Sequence, residues 1–274
     1  VSRLKTALLN AEAAVFTLAR RALYARAVDV TERLSARRTL VLAPHPDDET
    51  LGCGAAIARL RQAQQPVRVV IVTDGRGSHR SAQMSPDDLA RLREAEAVQA
   101  CAVLGVAAAD IRFLQFADGT LTASAVALAE RLAAEFADFA PEQLLYPSGL
   151  DGHPDHRALA AAAEQQLAAG PVAVEGYAYP VWFWNLRAWL TRPGQLLRLP
   201  GLWPVKLETA AVIECKRSAL GAHRSQFENL TGEADWDILR ANFTRHFFGP
   251  YEIYFRFRRR PKGLSSPEPP RSRL

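Results

Sequence analysis

Cysteine is scarce in this chain of 274 residues. Cys53, Cys101 and Cys215 are few, odd in number and far apart, which excludes a disulfide framework. A reducing compartment, the cytoplasm, is therefore expected. Each thiol reads as a small buried hydrophobe, and only Cys53 lies near enough to an acidic cluster to compete as a reactive group. Long apolar runs are missing too: none approaches the roughly 18 residues that cross a bilayer. The N-terminal residues show no compact apolar core followed by a small-residue cleavage site, so no secretory signal is expected. An even basic face is also lacking. The net charge of +5 comes from arginines crowded at the two ends, Arg20, Arg21, Arg26, Arg33, Arg37 and Arg38, then Arg256, Arg258, Arg259 and Arg260. The middle is balanced, which argues against nucleic acid as a partner.

What is present describes a globular protein. Hydrophobic residues make up 49% and charged residues 23%, enough for one large domain with a sizeable core. Residues 1–37 read as an amphipathic helical extension, with Leu4, Leu8, Ala11, Val15, Leu18 and Ala22 as its apolar stripe. Packing on the domain or on a second subunit competes with peripheral contact to anionic lipid at the inner face of the membrane. From residue 39 strands and helices alternate. Strands are predicted at 39–43, 67–75, 111–116, 143–147 and 172–179. Helices are predicted from the acidic cluster to about Gln64, from Pro86 to about 104, across 123–139 and across 156–169. This is the pattern of an α/β fold, a mainly parallel sheet with helices on both faces. In such sheets ligands bind beyond the carboxyl ends of the strands. The segment 179–204 holds four of the five tryptophans and breaks the alternation. It reads as a cap over substrate or as packing over the sheet edge. A strand at 205–213, helices at 214–222 and 235–245 and a strand at 251–257 close the domain. Residues 258–274 read as a basic, Pro-rich disordered tail.

Two clusters carry the chemistry. "PHPDDET" follows the first strand and crowds His45, Asp47, Asp48 and Glu49 into one turn stiffened by Pro44 and Pro46. Carboxylates packed this closely repel, and a divalent cation turns the repulsion into coordination. "HPDH" follows the strand ending at Pro147 and repeats the three-residue spacing with His153, Asp155 and His156. Both clusters fall on the same rim of the expected sheet. Two imidazoles, one carboxylate and open positions suit catalytic zinc, with another carboxylate as general base and another imidazole as acid or oxyanion partner. Spacing alone does not distribute these roles.

The pair of motifs resembles the LmbE-like, or GlcNAc-phosphatidylinositol de-N-acetylase (PIG-L), family of zinc-dependent N-deacetylases. The resemblance spans roughly residues 38–230. It includes "TDG" (73–75), the Arg93-x-x-Glu96 helix ending in Leu104-Gly105, "ADGTL" (117–121) and "KRSALGAHRSQF" (216–227). It implies a Rossmann-like fold in a single domain over 38–257. It also implies a Zn2+ cofactor held by His45, Asp48 and His156, with Asp47 as general base. His153 would stabilise the tetrahedral intermediate and protonate the amine, Asp155 would orient His153, and Arg93 and Asp118 would contact the sugar. The implied reaction releases acetate from an N-acetylglucosamine-type sugar, free or joined to a lipid or glycan. Another amide, such as a thiol conjugate or an antibiotic intermediate, is the alternative on the same fold. An Fe(II) oxygenase is a weaker competitor, because two histidines and a carboxylate also bind iron but no 2-oxoglutarate-anchoring pattern stands out. A non-catalytic binding protein is disfavoured by the presence of both Asp47 and His153. Glu49 has no assigned chemistry beyond a hydrogen bond to its loop. His79 and His246 match no motif and read as surface or core residues. For His223 a place at the site rim competes with packing.

Overall fold

A computed structural model describes residues 3–170, 174–234, 236 and 238–258. Its strands are β1 (Val28–Asp29), β2 (Thr39–Ala43), β3 (Val67–Thr73), β4 (Ile111–Phe116), β5 (Gln143–Pro147), β6 (Glu175–Tyr179), β7 (Pro204–Glu208) and β8 (Tyr251–Arg256). They form one sheet in the order β1-β7-β8-β6-β5-β2-β3-β4, parallel except for β8, which runs antiparallel to both neighbours. Every residue of β2, β3 and β5 is buried, as expected of apolar strands covered on both faces. The longer helices are α1 (Arg3–Arg26), α3 (Asp48–Gln62), α4 (Pro86–Val103), α5 (Ala125–Phe139), α6 (Pro154–Ala169) and α8 (Ile213–Gly221). The shorter ones are α2 (Thr31–Leu34), α7 (Leu186–Thr191), α9 (Arg224–Phe227) and α10 (Ala241–Thr244). Helices α3 and α4 both pack on α8, and α5 packs on α6.

The chain runs outward from β2 through β3 to β4, then returns to place β5 on the other side of β2. That reversal opens a crevice at the carboxyl ends of β2 and β5, where an open α/β sheet binds its ligands. The turn into α3 and the turn into α6 both begin there.

Helix α3 is broken at Cys53, whose φ of −144° and ψ of 22° are not helical. The Ala55 N–H therefore leaves the helical ladder. It and the Ala56 N–H donate to the Glu252 carboxylate at 2.7 and 2.9 Å. The freed Leu51 carbonyl accepts instead from Lys216 Nζ at 2.8 Å, and Lys216 pairs with Glu252 at 2.6 Å. A buried ion pair thus replaces a missing helical hydrogen bond, satisfying donors and acceptors that burial would otherwise leave open. Just before the break, Gly52 lies against Tyr179. A Cβ there would stand 2.1 Å from the ring, so only glycine lets α3 approach β6 this closely.

The N-terminal extension differs from its expected form. Helix α1 ends at Arg26, and β1 then joins the sheet beside β7. The stripe is also displaced: Val15 and Leu18 are exposed, whereas Phe16 is buried edge-on against Trp184 and His246. Tyr24 Oη donates to the Tyr251 carbonyl at 3.0 Å. The side chains of Leu4, Leu8 and Ala11 lie outside the described residues. Among the described residues no helix is long and apolar enough to cross a membrane. Beyond residue 180, β7 is shorter than the predicted 205–213 strand because the chain turns after it, the Val212 N–H donating to the Thr209 carbonyl at 2.9 Å, before α8 starts at Ile213. The predicted 235–245 helix is reduced to α10 and the turn after it, and Asp235 and Asp237 lie outside the described residues. So do residues 171–173, at the start of the predicted 172–179 strand, and 259–274 of the predicted tail.

Candidate active site and metal centre

The turn after β2 is shaped by hydrogen bonds to its backbone. Thr73, at the end of β3, donates both N–H and Oγ–H to the Pro44 carbonyl, at 2.9 and 2.8 Å. Arg93, buried on α4, donates to the carbonyls of Pro46 at 2.6 Å and Gly75 at 2.9 Å. Gly75 has a φ of +64°, and a Cβ on it would press on the guanidinium at 2.6 Å, which accounts for the glycine of "TDG". Asp47 holds a φ of 137°, rare for any residue with a side chain. Glu49 secures that conformation: its Oε2 accepts the Asp47 N–H at 2.9 Å, while its Oε1 accepts from Thr50 Oγ at 2.6 Å and lies 2.9 Å from His223 Nε2. The crowded third acid is thus a brace for the second. His223 is completely buried beneath the turn, not at the rim.

The acids and imidazoles of the two motifs converge. Asp48 Oδ2 lies 3.1 Å from both His45 Nδ1 and His156 Nε2. His156 Nδ1 is 2.9 Å from Asp151, yet its buried Nε2 has no hydrogen-bond partner of acceptable geometry. The ring nitrogens of His45, His153 and His156 lie within 4.8 Å of one another, and His45, Asp118 and Asp155 form a second group equally close. An orphaned imidazole nitrogen facing a carboxylate, among N and O donors, fits a divalent metal such as zinc or iron. The protons show the same strain. Burial opposes charge on His156, but Asp48 and the Asp151 hydrogen bond raise it to about 9. Burial likewise opposes charge on His45, which Asp118, Asp155 and Asp48 raise well above the ordinary value. A cation would release those protons on binding.

Asp47 Oδ2 lies 3.4 Å from Arg93, and burial pushes its carboxyl up to about 7 despite that guanidinium. This is the range of a general base working near neutrality, and a bound cation would draw it down. His153 accepts the Asp155 N–H on Nδ1 at 3.3 Å as the N-cap of α6. Burial, then the charges of His45 and His156, lower its pKa to about 4, so it is neutral with its hydrogen on Nε2. The Asp155 carboxylate does not reach His153, contrary to the expected orienting role. It accepts the N–H groups of Gly119 at 2.8 Å and Leu121 at 3.1 Å and lies 3.3 Å from His45 Nε2. Arg93 spends Nη1 and Nη2 on backbone carbonyls and on Asp47, which makes it a scaffold for the turn, while its Nε has no partner and the residue also lines the cavity. Asp118 lies 3.1 Å from His45 and accepts the Gly77 N–H at 3.1 Å at the cavity wall.

These groups floor a cavity of about 300 Å³, walled by Trp182, Ile238, Leu239 and His79, the last stacked on Trp236 at 4.4 Å. Trp184 and Trp189 are buried and serve packing, whereas Trp182 of the same segment lines the cavity. Cys53 is buried and its pKa is pushed well up by burial, which leaves it an inert thiol. Asp151 escaped the sequence reading. It is fully buried, holds His156 Nδ1 and accepts the N–H groups of Val181 and Phe183. Its only signal was an acid five residues before His156.

Comparison with known proteins agrees with this geometry. The model of the family described as PIG-L, GlcNAc-PI de-N-acetylase, matches residues 40–167. A Bacillus cereus protein described as "Probable N-acetyl-alpha-D-glucosaminyl L-malate deacetylase 2" is 30% identical over 70% of this chain and 84% of its own. A 1D-myo-inositol 2-acetamido-2-deoxy-alpha-D-glucopyranoside deacetylase of Kineococcus radiotolerans is 40% identical over 31% of this chain and 24% of its own. The fold is similar to that of the N,N'-diacetylchitobiose deacetylase of Pyrococcus horikoshii. That match has a TM-score of 0.63 and 23% identity, covering 81% of this chain and 84% of the other. With both motifs in place and a relative matched over most of its length, this chain belongs to the PIG-L (LmbE-like) deacetylase family.

Proposed function

We propose that the protein is a zinc-dependent N-deacetylase that releases acetate from an N-acetylglucosamine-type sugar or its conjugate. His45, Asp48 and His156 would hold the ion, with Asp151 fixing the His156 tautomer. A zinc ion held there would acidify water and polarise the amide carbonyl. Asp47 takes the proton of the attacking water. The Nε2–H of His153 faces the oxygen that gains charge as the carbonyl carbon becomes tetrahedral, and a proton passes through this pair to the departing amine. The C–N bond then breaks to acetate and free amine. Asp118 and the aromatic wall orient the sugar.

One observation carries the reading. Asp48 Oδ2 stands 3.1 Å from ring nitrogens of both His45 and His156, the buried His156 Nε2 has no other partner, and Asp47 and His153 line the same cavity beside them. Support for the sugar comes from the relatives, whose described substrates are glucosaminyl conjugates. The test is acetate release from a panel of N-acetylhexosamine conjugates and unrelated amides, with and without chelator. Release confined to the hexosamines, abolished by chelator and restored by zinc, is expected. Release insensitive to chelation, or found only with the unrelated amides, overturns it.

A further inference from the structure

A second cavity, of about 360 Å³, lies on the other side of Trp182 and shares His153 and Trp182 with the first. Its lining includes Gly152 and Pro154 at the N-terminus of α6, Arg157 from the first turn of that helix, and Arg192 from the aromatic segment. The two guanidiniums converge on the same backbone. Arg157 Nη1 donates to the Gly152 carbonyl at 2.7 Å, and Arg192 Nη2 donates to the same oxygen at 2.8 Å. Both also approach the Asp151 carbonyl, at 3.4 and 3.3 Å. Among the described residues no carboxylate is ion-paired with either. The nearest acid, Asp151, is occupied by His156 and by the N–H groups of Val181 and Phe183. Arg192 Nη1 is buried without any acceptor.

Two like charges side by side, sharing one carbonyl acceptor and paired with no carboxylate among the described residues, form a costly arrangement. A bound anion offsets that repulsion, because a guanidinium fork matches the paired oxygens of a carboxylate or phosphate. The partial positive charge at the start of α6 adds to the attraction. A ligand that reacts beside His153 and continues past Trp182 enters this cavity with whatever its sugar is joined to.

We propose that Arg157 and Arg192 form an anion subsite, so that the substrate carries a carboxylate or phosphate on the group joined to its N-acetylated sugar. This rests on the deacetylase reading, and the test separates the two. Calorimetric titration of the zinc-loaded full chain would compare N-acetylglucosamine 1-phosphate, the N-acetylglucosaminide of malic acid and neutral methyl N-acetylglucosaminide. At least one anionic ligand is expected to bind roughly tenfold or more tightly than the neutral one, the scale of one charge-assisted hydrogen bond. Which of them does so identifies the anion as phosphate or carboxylate. The affinity ratio should fall toward one in Arg192→Gln and in Arg157→Gln, and recover in part in Arg192→Lys. Using a ratio removes general damage to the fold, which weakens both ligands together. Equal affinities in the unmodified protein, a preference that survives both glutamine variants, or no binding by any of the three overturns the subsite. Acetate release from the methyl glycoside tests the deacetylase reading by itself.

Discussion

Beneath the floor of the cavity, Glu49, Asp151, Asp155, His156 and His223 are fully buried, and partners elsewhere in the chain hold them. At its wall, Trp182 is half-buried and stacked on Phe243 at 5.0 Å, and Ile238 is exposed. The floor is a polar network in which removing one member leaves another charged and alone. The wall is held by surface contact, so one side chain can change with little propagation. On the proposed function, chemistry and ligand choice are lodged in parts of the molecule with very different tolerance to substitution.

The largest expected effect separates activity from stability within the floor. Asp47→Asn keeps the shape of the side chain but removes the proposed base, and kcat should fall about 10²- to 10⁴-fold. The melting temperature should hold or rise, since a carboxyl whose pKa burial raises is disfavoured when charged. Unchanged turnover would remove Asp47 from the mechanism. Next, His223→Leu strands the Glu49 carboxylate and should cost about 3–5 kcal/mol in denaturant unfolding. It should also lower kcat more than it raises KM, because the strained Asp47 conformation loses its brace. A loss of stability with normal kcat would make the Glu49–His223 pair purely structural.

Trp182→Ala tests the wall and should do the reverse. KM for the sugar should rise about tenfold, an effect of roughly 1.4 kcal/mol, with kcat and unfolding nearly unchanged. If kcat falls as steeply as with Asp47→Asn, the contrast between floor and wall fails. The smallest effect concerns His246, buried against Phe16 and Trp184, whose pKa burial lowers from 6.5 to about 4. Between those values the unfolded chain binds the proton and the native one does not. Stability is therefore full above pH 6.5 and falls as pH drops toward 4. His246→Phe should flatten that part of the stability–pH curve, and an unaltered slope would assign it to other groups.

Much of this was legible in the residues. The strands at 39–43, 111–116 and 143–147 have the bounds expected of them, because short β-branched and apolar runs between polar turns leave little choice. Both site turns were legible for a related reason: unusual residue types at short spacing declare themselves locally. The hydrogen bond of Glu49 to its own loop was legible as well, but its pairing with His223 and the parts played by Asp151, Lys216 and Glu252 were not, because their partners lie far away or around a helix break that no pattern of single residues announces. The displaced stripe of α1 has another cause. Val15 and Phe16 are adjacent apolar residues, and tertiary packing against Trp184 chose the larger one. After residue 180 short turns and lone aromatics replace periodic segments, and there expectation drifted furthest.

The break in α3 has a consequence for the order in which the protein becomes competent. The acid that caps the second half of that helix, Glu252, lies in β8, roughly two hundred residues after the turn that carries Asp47 and Asp48. A chain growing on the ribosome can pair β2, β3 and β5 early, yet its Ala55 and Ala56 N–H groups stay unsatisfied until β8 emerges. The last strand of the sheet thus acts as a completion signal for the first motif. Chains cut short before residue 252 should retain much of their sheet but lose the geometry of the first motif.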